Sequence, residues 1–163
     1  MNRNDRPGMR KNIRKLLIAS FKLMLVVIGM LYFYPILGVL TYEPIITLCR
    51  VPEEGNLLGV IVGHGTHVLS ILVVAFLAGL LFPKDGWIVR SAAMISVSWF
   101  LVYDIIAGVY LSRDFPDFPV FSFFQSSITP YIFVIVLGYW LSGSFHHCGA
   151  ALRTRPGAEH NQS

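Results

Sequence analysis

The sequence predicts an all-α, polytopic membrane protein: an antiparallel four-helix transmembrane bundle with both termini in the cytoplasm. Three observations predict it. Of 163 residues, 55% are hydrophobic and 13% charged, about half the charged share of a soluble domain, and a chain this short cannot hide that much apolar surface in a core. Four runs are free or nearly free of charge: residues 23–42, 57–82, 91–112 (broken only by Asp104) and 118–152. Each supplies the roughly 20 apolar residues that a hydrocarbon core requires. Finally, eleven of the thirteen Lys and Arg residues fall on one side of the resulting topology, leaving only Arg50 and Arg113 on the other. The side richer in basic residues is the cytoplasmic one.

The elements follow in order. Residues 1–15 form a basic tail holding Arg3, Arg6, Arg10, Lys11, Arg14 and Lys15. The first span covers about residues 16–41, with Lys22 snorkelling to the headgroups and Pro35 placing a kink. It reads as a signal anchor, because the run is long and no small-x-small cleavage site follows it. The next loop carries Glu43, Glu53 and Glu54 around the apolar PIITLC. A second span, about 57–82, ends at the turn PKDGW, and Trp87 marks the interface where the third, about 88–111, begins. The aromatic, proline-rich SRDFPDFPVFSFF is too broken to span and is expected along the membrane surface. The fourth span, about 128–146, either begins at Pro130 with Thr129 as its cap or belongs to a helix that begins at Pro119 and kinks at Pro130, and Tyr139 and Trp140 lie in the aromatic belt. Residues 148–163 are a polar cytoplasmic tail. Cys49 and Cys148 fall at opposite ends of the bundle and read as unpaired thiols.

Net charge +4 belongs to this asymmetry and is matched to anionic lipid headgroups. The basic residues have no aromatic platform beside them, which argues against nucleic acid. No internal repeat and no soluble catalytic domain is evident.

Gly63-His64-Gly65-Thr66-His67-Val68 resembles the histidine motif of subtilisin-type serine proteases, which would make His64 a general base. The likeness ends after six residues. The aspartate motif, the Gly-Thr-Ser nucleophile motif and a large α/β domain are missing from the sequence, so the chain does not read as an enzyme. Helical spacing gives a fuller account. Gly59, Gly63, Thr66 and Ser70 share a face with His67 at its edge, and small residues four apart let helices approach closely in lipid. On the third span Ala93, Ser96, Asp104, Ala107 and Gly108 share a face, turning the carboxyl toward the bundle as ionisable groups in spans require.

Counted at 1.5 Å per residue, His64 and His67 lie roughly 10 and 15 Å inward from the outer end of their span and Asp104 roughly 12 Å. An intramembrane cluster of His64, His67 and Asp104 opening outward is therefore expected, with Glu43, Tyr103, Gln125 and Thr129 as candidates to line a cavity around it. Two imidazoles at i and i+3 with a carboxylate also fit a transition metal, given one more ligand. No resident cofactor is expected.

Two functions are compatible with these features. One is a non-enzymatic accessory or immunity-type subunit of a bacterial cytoplasmic membrane, acting through helix packing with a protein partner or with further copies of itself. The other is small-solute or proton handling by the His/Asp cluster.

Overall fold

The computed structural model describes residues 6–42, 44, 47–48, 57–115, 117 and 119–154. Those residues are almost wholly helical, without a strand among them. Four helices are present: α1 (Arg6–Leu37), α2 (Leu57–Leu81), α3 (Gly86–Asp114) and α4 (Val120–Thr154). All four are long and apolar enough to cross a membrane. The basic stretch and the loops that fall on residues 1–5, 43, 45–46, 49–56, 116, 118 and 155–163 lie outside the described residues, and with them Glu43, Cys49 and Arg50.

Each helix end has a local cause. Pro7 sits in the first turn of α1, where a missing N–H costs nothing. Pro35, four residues past Leu31, removes one hydrogen bond of the helix, and α1 gives way after Leu37 to a π-helical turn, Gly38–Tyr42. Such turns widen a helix by one residue per bond. The Thr41 hydroxyl donates to the Leu37 carbonyl at 2.7 Å, so the transition leaves one fewer acceptor unmet. Helix α2 stops before Pro83, and Arg153 of α4 donates from Nη1 to the Leu80 and Leu81 carbonyls at 3.0 and 2.9 Å. That cation caps the negative end of α2. The tight turn after it is closed by Asp85 N–H to Phe82 O at 3.0 Å. Its Asp85 carboxylate does not cap α3 but pairs with Lys22 of α1.

The helices are longer than hydropathy predicted. Helix α1 begins at Arg6, inside the segment read as a basic tail. Helix α4 begins at Val120, next to Pro119 as the earlier of the two expected starts has it and ahead of residue 128, and continues to Thr154, through residues read as a polar tail. Thr129 is accordingly inside the helix and caps nothing, and Pro130 is an interior residue. Hydropathy measures the length that lipid accepts, whereas a helix continues as long as packing or capping rewards it. Beyond residue 146, Gly149 rests against the α2 backbone at Phe76 and Leu80 and Arg153 caps α2, so the helix has reason to persist. Lys22 differs too: it finds a carboxylate in the turn between α2 and α3 and lies over the Phe82 ring at 5.1 Å.

The packing order is the feature that positions the site. Helix α4 packs along both α2 and α3, and α1 closes the other side against the same two, while α2 and α3 scarcely touch. The core between them is built mostly of small and branched side chains, Ile71, Val74, Ala75, Val89, Ala92, Ala93 and Val97 among them, with the longer Met30 beside them. At the crossing of α2 and α4 the backbones meet. A Cβ on Gly79 would strike the His146 carbonyl, and one on Gly149 would strike that of Phe76. Both glycines are fully enclosed positions that no larger residue could occupy without separating the helices.

Candidate functional site

The candidate site lies in the other half of the bundle, away from the turn between α2 and α3. His64 and His67 stand on successive turns of α2 but face different neighbours. His64, half-buried, meets Tyr131 of α4 edge-on, with ring centroids 4.9 Å apart and planes at 83°. Tyr131 is in turn hydrogen-bonded through its side chain to Asp104 of α3, and Asp104 is close enough to His64 to interact with it electrostatically. One phenol therefore links an imidazole on α2 to a carboxyl on α3 across a gap that those two helices do not close by direct packing.

His67, one turn on, meets α1 and α3 and is near enough to His64 to interact with it electrostatically. It is 3% exposed and sits between Tyr34 of α1, at 4.9 Å, and Phe100 of α3, at 4.6 Å between centroids. Tyr34 and Phe100 also touch each other at 4.8 Å, completing a three-ring cluster. His67 Nε2 has no hydrogen-bond partner among the described residues. A buried imidazole nitrogen without a partner carries its full desolvation cost, here offset only by ring contacts. Next to His67 in the chain, the Thr66 hydroxyl donates to Thr41 Oγ1 at 3.0 Å, the Thr41 proton being given to Leu37, and this ties the π-helical turn to α2; the Val62 carbonyl lies 2.9 Å from the same Thr66 hydroxyl.

The other residues singled out from sequence distribute as follows. Ser70 and Ser96 are fully buried, donating to the His67 and Ala93 carbonyls one turn back, with Ser96 also 3.7 Å from Met30 Sδ. Gly108 is buried and Ala107 half-buried, on the bundle side of α3. Gly59 and Gly63 belong to α2. Tyr103 is 66% exposed, and Gln125 and Thr129 are exposed as well. Glu43 is outside the described residues.

Asp104 interacts with His64, while the ring contacts of His67 are with Tyr34 and Phe100. His64 faces α4 and His67 faces α1 and α3, about 60° apart around α2 and near enough to interact electrostatically. Among the described residues no group of three or more His, Cys, Asp or Glu side chains is placed to hold a metal ion.

Sequence reasoning missed three members of this region, Tyr131, Tyr34 and Phe100. A signal existed for the first: Tyr131, Val134 and Gly138 fall at i, i+3 and i+7 and all are buried, so the inner face of α4 could have been traced from that spacing. It also missed His146. The ring is 1% exposed and its Nε2 donates to the Phe82 carbonyl at 3.0 Å, whereas His147 and Cys148 beside it are exposed. The run His146-His147-Cys148 therefore splays around α4.

No known protein family matches the chain, and neither does any curated protein or solved structure. The site's own geometry is what a functional reading has to rest on.

Proposed function

We propose that this chain is a non-enzymatic accessory subunit of a membrane assembly, an interaction protein whose outward face on α3 docks against a membrane-spanning helix of another protein. One observation carries this reading. Ile95, Trp99, Val102, Tyr103, Ile106 and Tyr110 recur along a single face of α3, and all six are exposed, Trp99 and Tyr103 to 65% and 66%. Trp99 is about 20 Å from the Gly86 end of α3 and Tyr103 about 17 Å from the Asp114 end. Trp and Tyr normally keep to the two membrane interfaces, because an indole N–H or phenol O–H in hydrocarbon lacks a partner. Two of them, side by side near the middle of a span and facing away from their own bundle, call for hydrogen-bonding groups supplied from outside.

The polar groups inside the bundle support the same view. Thr41 with Thr66, Tyr131 with Asp104 and Arg153 with the end of α2 each join two helices, which is the work of a scaffold. An antiparallel bundle with N-in, C-in topology in a bacterial cytoplasmic membrane accompanies this proposal, on the strength of the Lys and Arg asymmetry. The test is the size of the assembly extracted in mild detergent. Replacing Trp99, Tyr103 and Tyr110 together by Leu should release this chain as a smaller particle with its helix content intact. Retention of the full-size assembly by that variant would refute the proposal.

A second reading is favoured by a specific contact, the His64–Tyr131–Asp104 chain. A carboxyl hydrogen-bonded to a phenol, with an imidazole against the same ring, is a set of groups able to pass a proton or to hold a small polar solute. Under this reading Tyr131→Phe, which keeps the ring packing and removes only the hydroxyl, should alter the pH profile of transport while leaving the fold unchanged. An unaltered profile removes it.

A further inference from the structure

A cleft at the opposite end of the bundle has features that the docking proposal does not use. It measures about 370 Å³ and lies between α3 and α4, lined by Trp87, Arg90, Ser91, Tyr139, Gly143 and His147. Gly86, the first residue of α3, forms its remaining wall, so the cleft stands level with the turn that joins two spans. This is the depth at which lipid headgroups meet a membrane protein.

We propose that this cleft binds the phosphate of an anionic phospholipid headgroup, with Arg90 as its principal ligand. Arg90 is half-buried and has no carboxylate partner among the described residues. The nearby acid of the turn, Asp85, is already paired with Lys22. The guanidinium is nonetheless held in place. It stands over the Tyr139 ring at 5.5 Å, and it occupies the space a Cβ on Gly143 would take. A stacked, fixed guanidinium with free N–H groups is suited to bidentate contact with a phosphodiester. Ser91 and His147 add donors on either side, and Trp87, 59% exposed, supplies the amphipathic ring that favours the headgroup level. Behind Gly86, the 1% exposed His146 holds Nδ1 without a hydrogen-bond partner, a second unmet polar atom aimed at this corner. Basic pockets between spans are recurrent sites for acidic headgroups. A lipid is favoured over a soluble anion because the cleft adjoins the exposed apolar surface of α4 at Trp140, 75% exposed, where acyl chains can continue from the headgroup.

The experiment uses the purified full chain, delipidated in neutral detergent and examined by native mass spectrometry after adding phosphatidylglycerol, phosphatidylcholine or inorganic phosphate. The expected result is one phosphatidylglycerol retained in preference to phosphatidylcholine. Arg90→Gln should weaken that retention about tenfold, and Gly143→Ala, which displaces the guanidinium, should weaken it less. Arg113→Gln, at the other end of α3, should leave it unchanged. Equal retention of the two lipids by the wild-type chain would overturn the proposal without recourse to any variant. So would undiminished phosphatidylglycerol binding by folded Arg90→Gln, or an equal loss in Arg113→Gln. Binding of inorganic phosphate that displaces the lipid and shows the same Arg90 dependence would assign the cleft to a soluble anion and overturn it too.

Discussion

The two ends of this bundle hold their helices together in different ways. Beside the turn between α2 and α3, the backbones of α2 and α4 touch through Gly79 and Gly149, and side chains from α4 and α1 close the helix ends: His146 to Phe82, Arg153 to Leu80 and Leu81, Lys22 to Asp85. Toward the other end larger polar and aromatic side chains stand between the helices: Tyr131 between His64 and Asp104, and His67 between Tyr34 and Phe100. Lipid offers no hydrophobic force to drive helices together, so close backbone packing and polar ties are the two means available. The chain combines both beside the turn and relies on polar ties toward the other end. The difference teaches that intramembrane polarity alone does not identify a site, because most of the polar groups described here connect one helix to another.

The comparison is broken most severely at the close-packed end. Gly79→Val or Gly149→Val places a branched side chain against backbone that cannot yield, and each should lower stability by roughly 2–3 kcal/mol, read as a drop in the thermal unfolding midpoint in detergent. Tolerance of both would mean the helices do not meet there. At the bridged end the effects should be smaller. A double-mutant cycle with Asp104→Asn and Tyr131→Phe should return a coupling of about 1 kcal/mol, within the range for hydrogen bonds between membrane helices, and a coupling near zero would leave Tyr131 as packing only. The same cycle on Thr41→Val and Thr66→Val should give about 0.5 kcal/mol. The smallest effect should come from Gly65→Ala. Nothing stands within 4 Å of a Cβ there, so the central glycine of the conspicuous Gly63–Val68 motif should accept alanine with no loss of stability, in contrast to Gly79 on the same helix.

That last contrast also shows what could be read from the sequence. Four spans followed from charge-free runs, since the absence of charge over about 20 residues is itself the physical requirement for crossing lipid. The inward faces of α2 and α3 were legible in part: Thr66, His67 and Ser70 on one, Ala93, Ser96 and Gly108 on the other, all buried. The packing order was not legible. Spacing along one helix does not tell which neighbour that helix meets. With α4 packed along both α2 and α3, Tyr131 lies between His64 and Asp104, and the ring contacts of His67 are with Tyr34 on α1 and Phe100 on α3. Helix ends were missed for a related reason. The contacts that extend α4 to Thr154 are tertiary, made by Gly149 and Arg153 against α2, and hydropathy contains no trace of them. Tyr103 was expected at a cavity because its hydroxyl is polar, yet it stands on the outer face of α3.

That outer face bears the central claim, and site-specific photo-crosslinking in native membranes tests it most directly. A photoreactive residue replacing Tyr103 is compared with one replacing Leu137, which is exposed on α4. The account predicts a discrete protein adduct larger than this chain from position 103 and lipid adducts from position 137. Lipid adducts alone from both positions would contradict it.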